Sequence, residues 1–102
     1  LRTLDIPPTL ISLLEIECSF NNLITLDIPS ALINVREIYC VNNKLVSLNI
    51  PSTLISLEKL DCSSNRLNSL IISDGLVNLI YLDSRYNSSR LLNIPYDDDD
   101  SY

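Results

Sequence analysis

The chain has 102 residues, 46% of them hydrophobic, with a net charge of -6 and a single Gly. That is enough for one small domain and too apolar for a disordered chain. No positive patch suited to displacing nucleic-acid counterions is visible, and no apolar run approaches the roughly 20 residues that span a bilayer.

In chain order, the first repeating unit carries Leu13, Ile16, Cys18, Asn21 and Leu23. Around Ile16 and Cys18 the residues alternate inward and outward with the period of a strand. A return segment follows through Leu26, Ile28, Pro29 and Leu32, its apolar residues about three apart. That step suits tight 3₁₀-like turns with Pro29 at the first position, where no amide hydrogen is needed; an extended return is the alternative. The second unit repeats the pattern as Val35, Ile38, Cys40, Asn43 and Leu45, then Ile50, Pro51 and Leu54. The third is Leu57, Leu60, Cys62, Asn65, Leu67 and Leu70, then Ile72 and Leu76 with Ser73 in place of Pro. The fourth keeps Leu79, Leu82 and Asn87 but has Ser84 and Ser89 where Cys and Leu are expected. Ile94 and Pro95 close the register, and residues 96–102 form an acidic tail with the run Asp97 to Asp100. Every column steps by 22 residues without insertion or deletion.

The string Leu57-x-x-Leu60-x-Cys62-x-x-Asn65-x-Leu67 resembles the leucine-rich repeat signature, with Cys in one Leu position. The 22-residue spacing is similar to that of internalins and of regulatory subunits of protein phosphatase 1. The triplets Ile28-Pro29-Ser30 and Ile50-Pro51-Ser52 depart from those families. They are similar to Ile-Pro repeats of social amoebae and of large viruses that infect amoebae. The resemblance covers residues 1–95 and implies an α/β-type solenoid: a right-handed leucine-rich repeat array with a parallel β-sheet on its concave face and short 3₁₀ or extended convex segments. A chain that starts without Met is expected to be a fragment of a longer array.

Stacked strands would lie about 4.8 Å apart, so each column becomes a row of neighbours. The Asn column, able to bond turn backbone, is structural first. Cys18, Cys40 and Cys62 are expected to be free, buried core filler, because side chains stacked in parallel do not face each other. A 22-residue step without His offers no metal site. No nucleophile motif, phosphate loop or His base is present, and Glu15 and Glu17, two apart on one face, lack a pocket to shift their titration. No enzymatic activity and no cofactor are therefore expected. Three Cys, an odd number, favour a reducing compartment, the cytoplasm or, for a viral protein, the host cytoplasm. The triplet Asn87-Ser88-Ser89 matches a glycosylation acceptor, a pattern frequent by chance.

The outward columns vary while the core columns do not. They are Glu15, Glu37, Lys59 and Tyr81; Glu17, Tyr39, Asp61 and Asp83; and Ser19, Val41, Ser63 and Arg85. Solenoids bind through such extended faces. The expected partner is another protein or peptide, drawn as a basic ligand to Glu15, Glu17, Glu37, Asp61 and Asp83 and anchored on Tyr39 and Tyr81, with Lys59 and Arg85 beside them. Nucleic acid and membrane are not expected partners. The alternative is an assembly element that self-associates through an uncovered N-terminal edge at Leu1 and Leu4.

Overall fold

The computed structural model describes residues 2–88 and 91. Leu1, Ser89, Arg90 and residues 92–102, with them the acidic tail and the last Ile-Pro pair, lie outside the described residues.

Six three-residue strands follow one another: β1 (Glu15–Glu17), β2 (Glu37–Tyr39), β3 (Ser47–Asn49), β4 (Lys59–Asp61), β5 (Ser69–Ile71) and β6 (Tyr81–Asp83). They form a β-solenoid of about three turns. One parallel sheet has the order β1-β2-β4-β6, and a second pairs β3 with β5. The register is that of the 22-residue step: Ile16, Ile38, Leu60 and Leu82 stand side by side, flanked by the two outward columns read from the sequence. The backbone ladder runs on past the strands. Cys40 N donates to the Asp61 carbonyl at 2.9 Å, and Cys62 N to the Asp83 carbonyl at 2.9 Å.

Among the described residues there is no helix, so the α/β-type expectation is not met. The return path uses both alternatives left open by the sequence. Ser47–Asn49 and Ser69–Ile71 are extended and make the second sheet. Each then reaches a tight turn: Leu32 N donates to the Pro29 carbonyl at 3.2 Å, Leu54 N to Pro51 at 3.1 Å and Leu76 N to Ser73 at 3.2 Å. Pro29 and Pro51 supply only an acceptor at the turn start, where their missing N–H costs nothing. With β3 and β5 taking part of the return, single turns connect the segments and no helix propagates.

The core is the set of columns inside the coils. Leu23, Leu32, Val35, Ile38, Cys40, Leu45, Leu54, Leu57, Leu60, Cys62, Leu67 and Leu70 are fully buried. Leu4 and Ile6 pack half-buried against the first coil, and Ile24 N donates to the Arg2 carbonyl. The N-terminal segment therefore lies against the first coil, with Leu4 half-buried on it.

The Asn column braces one coil to the next. Asn43 Nδ2 donates to the Cys18 carbonyl of the preceding coil and to Cys40 of its own, both at 3.1 Å, while its Oδ1 accepts from Leu23 N. Asn65 and Asn87 repeat the pattern. The residue before each of these Asn is left-handed: Phe20, Asn42, Ser64 and Tyr86 have φ near +60°. That left-handed residue lets the Asn side chain point inward under the strand end. A second brace, not read from the sequence, joins Asn34 Nδ2 to the Ile11 carbonyl and Asn78 Nδ2 to that of Ile55, both at 2.8 Å. Among the described residues no buried side-chain nitrogen or oxygen lacks a partner.

Candidate binding surface

The outward face of the four-stranded sheet carries every residue expected to bind. Glu15, Glu37, Lys59 and Tyr81 form one row; Glu17, Tyr39, Asp61 and Asp83 form its neighbour. Arg85 continues from the end of β6. In β1, β2 and β4 the alternating pleat sends these side chains outward while Ile16, Ile38 and Leu60 turn into the core; in β6 Tyr81 is exposed but Asp83 is buried.

Much of this face is bonded to itself. Glu17 Oε1 accepts from Ser19 N at 2.9 Å, Asp61 Oδ1 from Ser63 N at 3.1 Å and Asp83 Oδ1 from Arg85 N at 3.1 Å. A carboxylate in this column thus caps the amide two residues on, where the chain leaves the strand. The second coil has Tyr39 in that column, and there the Ser19 hydroxyl accepts from Val41 N at 3.1 Å. The spacing acid-x-polar was the sequence signal for the cap.

The ends of the sheet differ. Asp83 meets Arg85 in a two-pronged contact, Nη2 to Oδ2 at 2.9 Å and Nε to Oδ1 at 3.1 Å. Those bonds hold the Asp83 carboxyl below its ordinary range against the opposing effect of burial. Its charge is therefore matched on the spot. At the other end Glu15, Glu17 and Glu37 cluster with no cation in their rows until Lys59. There the Tyr39 hydroxyl donates to Glu37 Oε1 at 2.6 Å. That bond, with some burial and the charges of Glu37, Glu15 and Glu17, pushes the phenol up to about 12. Tyr81, though exposed, is also raised, first by partial desolvation and then by the charges of Asp61 and Asp83.

A shallow depression of about 470 Å³ opens beside the acidic end, lined by Glu17, Ser19, Phe20, Tyr39 and Val41 among others. Glu17, Ser19, Tyr39 and Val41 belong to the outward columns read from the sequence; Phe20 does not. Phe20 is 74% exposed and holds a left-handed backbone conformation, φ 60°. A bulky residue there costs free energy and leaves a large ring in water. The signal was present in the sequence: the chain's single Phe occupies a turn column shared with Asn42, Ser64 and Tyr86.

The thiols lie beneath this surface. Cys18, Cys40 and Cys62 are free and buried. Burial raises all three, Cys18 to about 11 with Glu17's charge helping, and Cys62 to about 12. They are poor nucleophiles at neutral pH. Among the described residues no cluster of His, Cys, Asp or Glu is placed to hold a metal ion, and no helix is long and apolar enough to cross a membrane. Asn87 Nδ2, the atom that a glycan would modify, donates to the Cys62, Ser84 and Arg85 carbonyls. Compared with known proteins, the chain matches no protein-family model and none of the curated proteins.

Proposed function

We propose that the chain is a leucine-rich-repeat-type interaction module that binds a basic protein or peptide segment on the outward, concave face of its four-stranded sheet. The observation that carries this reading is the polarity of that face. Glu15, Glu17 and Glu37 gather at one end beside Tyr39 and the exposed Phe20, while Asp83 is matched by Arg85 at the other. A ligand cation is steered to the end where negative charge stays unmatched, and the two rings give it a desolvated seat. Tyr39, its hydroxyl tied to Glu37, meets a ligand with little rotamer freedom left to lose. Lys59, Asp61, Tyr81, Asp83 and Arg85 extend the footprint along the stack. The module carries no chemistry of its own, and a cytoplasmic setting suits its buried free thiols.

Self-association through the sheet edge is the weaker reading. The edge strand β1 presents Glu15 and Glu17 on either side of Ile16, a charge pattern that discourages strand pairing with another chain.

The test is to select ligands for the full chain from a random peptide library and map them by backbone amide shifts. Selected peptides rich in Lys or Arg, shifting Glu15 to Val41 and lost with Tyr39→Ala, are the expected result. Ligands that map to the turns at Pro29 and Pro51 would overturn the reading.

A further inference from the structure

A second surface lies just past the strand ends, where each coil turns away from the sheet. The stretches Asn22-Leu23-Ile24, Lys44-Leu45-Val46 and Arg66-Leu67-Asn68 each bury their central Leu completely and expose the residues either side. They are stacked by backbone hydrogen bonds: Lys44 N to the Leu23 carbonyl, Arg66 N to Leu45, and Asn68 N to Val46. Ile24 N bonds back to the Arg2 carbonyl. The outward residues therefore form two short rows. Between them runs a groove of about 450 Å³ lined by Arg2, Asn22, Ile24, Lys44, Val46 and Arg66.

The composition of this wall is unlike the rest of the molecule. The chain has seven Lys and Arg against thirteen Asp and Glu, yet three of the seven line this one groove and no carboxylate does. Arg36 and Arg85 each meet a carboxylate, Glu58 and Asp83. Among the described residues no salt bridge is made by Arg2, Lys44 or Arg66. Lys44 and Arg66 occupy the same position in adjacent coils, so their charges repel across one coil spacing with nothing in the wall to offset them. Ile24 and Val46, 37% and 46% exposed, make an aliphatic floor between the cations.

The scaffold under the groove is fixed. The amides of Leu23, Leu45 and Leu67, at the centre of the three stretches, donate to the side-chain oxygens of Asn43, Asn65 and Asn87. The Asn braces that hold the coils together thus also hold the groove's rows in place, so little backbone ordering is left to oppose binding.

We infer that this groove docks a short acidic protein segment in which carboxylates alternate with aliphatic residues. The cations meet the carboxylates and the floor meets the aliphatic side chains. The site shares no residue with the sheet face and goes beyond the function proposed for it. A nucleic acid suits it less well, because a long polyanion would run from three cations into a net-acidic surface.

The probe is a fluorescein-labelled eight-residue peptide in which Glu and Asp alternate with Leu and Val, titrated with the full chain and followed by anisotropy. Binding is expected at low salt and should weaken as salt rises. The double variant Lys44→Glu, Arg66→Glu, exposed and checked for fold by circular dichroism, should lose at least tenfold in affinity. Glu15→Gln with Glu37→Gln, on the sheet face, should leave it unchanged, which separates this site from the face. The proposal is overturned by unchanged binding in the Lys44, Arg66 variant, by equal binding of an all-glutamate peptide of the same length, or by tighter binding of a single-stranded oligonucleotide of equal charge.

Discussion

Asn65 joins three coil segments at once: its Nδ2 donates to the Cys40 carbonyl one coil back at 3.0 Å and to its own coil's Cys62 at 3.1 Å, and its Oδ1 accepts from Leu45 N at 3.1 Å. Replacing it with Leu leaves these backbone groups buried without partners. At about 1–3 kcal/mol per orphaned group, with partial relaxation, Asn65→Leu is expected to cost about 3 kcal/mol. Urea denaturation measures it. A loss under about 1 kcal/mol would show that water replaces the brace.

Leu60 sits at the centre of the stack, fully buried between Ile38 and Leu82. Truncation to Ala should cost about 2–5 kcal/mol. Each coil contacts only its neighbours, so a central loss is also expected to uncouple the two halves and broaden the urea transition. A sharp transition at unchanged midpoint would contradict both statements.

The thiols give a pH dependence. Burial raises Cys18 to about 11 and Cys62 to about 12, from an ordinary value of 9.0. The fold favours the protonated thiol, so this contribution is complete below about pH 9 and is lost as pH climbs towards 11–12. Native thiol labelling at pH 8 should be slow, with three thiols reacting at once in urea. Cys62→Val should show a shallower fall in stability between pH 9 and 11 than the parent chain; an equal fall would mean that the thiol contributes nothing to it.

Ser64 holds φ 57° with a Cβ to accommodate. Gly adopts that conformation freely, so Ser64→Gly should be neutral or stabilising by up to about 1 kcal/mol. Val, branched at Cβ, should cost about 1–2 kcal/mol at the same place. Thermal melts of the pair give the difference, and equal stability of the two would remove strain as the explanation.

For a basic peptide ligand of the sheet face, Glu17→Lys with Glu37→Lys should slow association about tenfold or more at low salt, and Tyr39→Ala should mainly speed dissociation. Because Asp83 and Arg85 offset each other, removing both charges with Asp83→Asn and Arg85→Gln should leave the association rate almost unchanged. Stopped-flow kinetics across a salt series separates these effects; a rate that ignores both salt and the Glu17, Glu37 reversal would end the electrostatic reading.

The stacking order, the Asn column, the buried thiols and the outward rows were legible in the sequence because each is a periodic property. Twenty-two-residue repetition places Glu15 beside Glu37 once parallel pairing is assumed, and it needs no knowledge of distant contacts. Pairings among outward side chains were not legible in the same way. That Asp83 spends its charge on Arg85 while Glu37 spends one oxygen on Tyr39 depends on rotamers two residues apart, which columns do not encode. The exposed Phe20 was not legible because a left-handed turn position is a property of backbone geometry, and its column, Phe20, Asn42, Ser64 and Tyr86, does not share one residue type. The second sheet, Ser47–Asn49 with Ser69–Ile71, is too short and too mixed in composition for alternation to announce it. The groove of Arg2, Lys44 and Arg66 brings together one residue from near the start of the chain and two repeats, and Arg2 falls in the Ile24 and Val46 column rather than that of the other cations.

The Asn brace also determines how such a molecule can change size. Asn43, Asn65 and Asn87 each reach their own coil and the one before, and nothing further. A duplicated block of 22 residues, inserted in frame at any turn, brings its own brace and finds its acceptors already waiting. The face would lengthen by one row, about 4.8 Å, with the older rows undisturbed. An insertion of any other length would set an Asn against the wrong carbonyl. Growth by whole coils is therefore the route by which this architecture can match a longer or shorter partner, while the chemistry of each row is left to vary on its own.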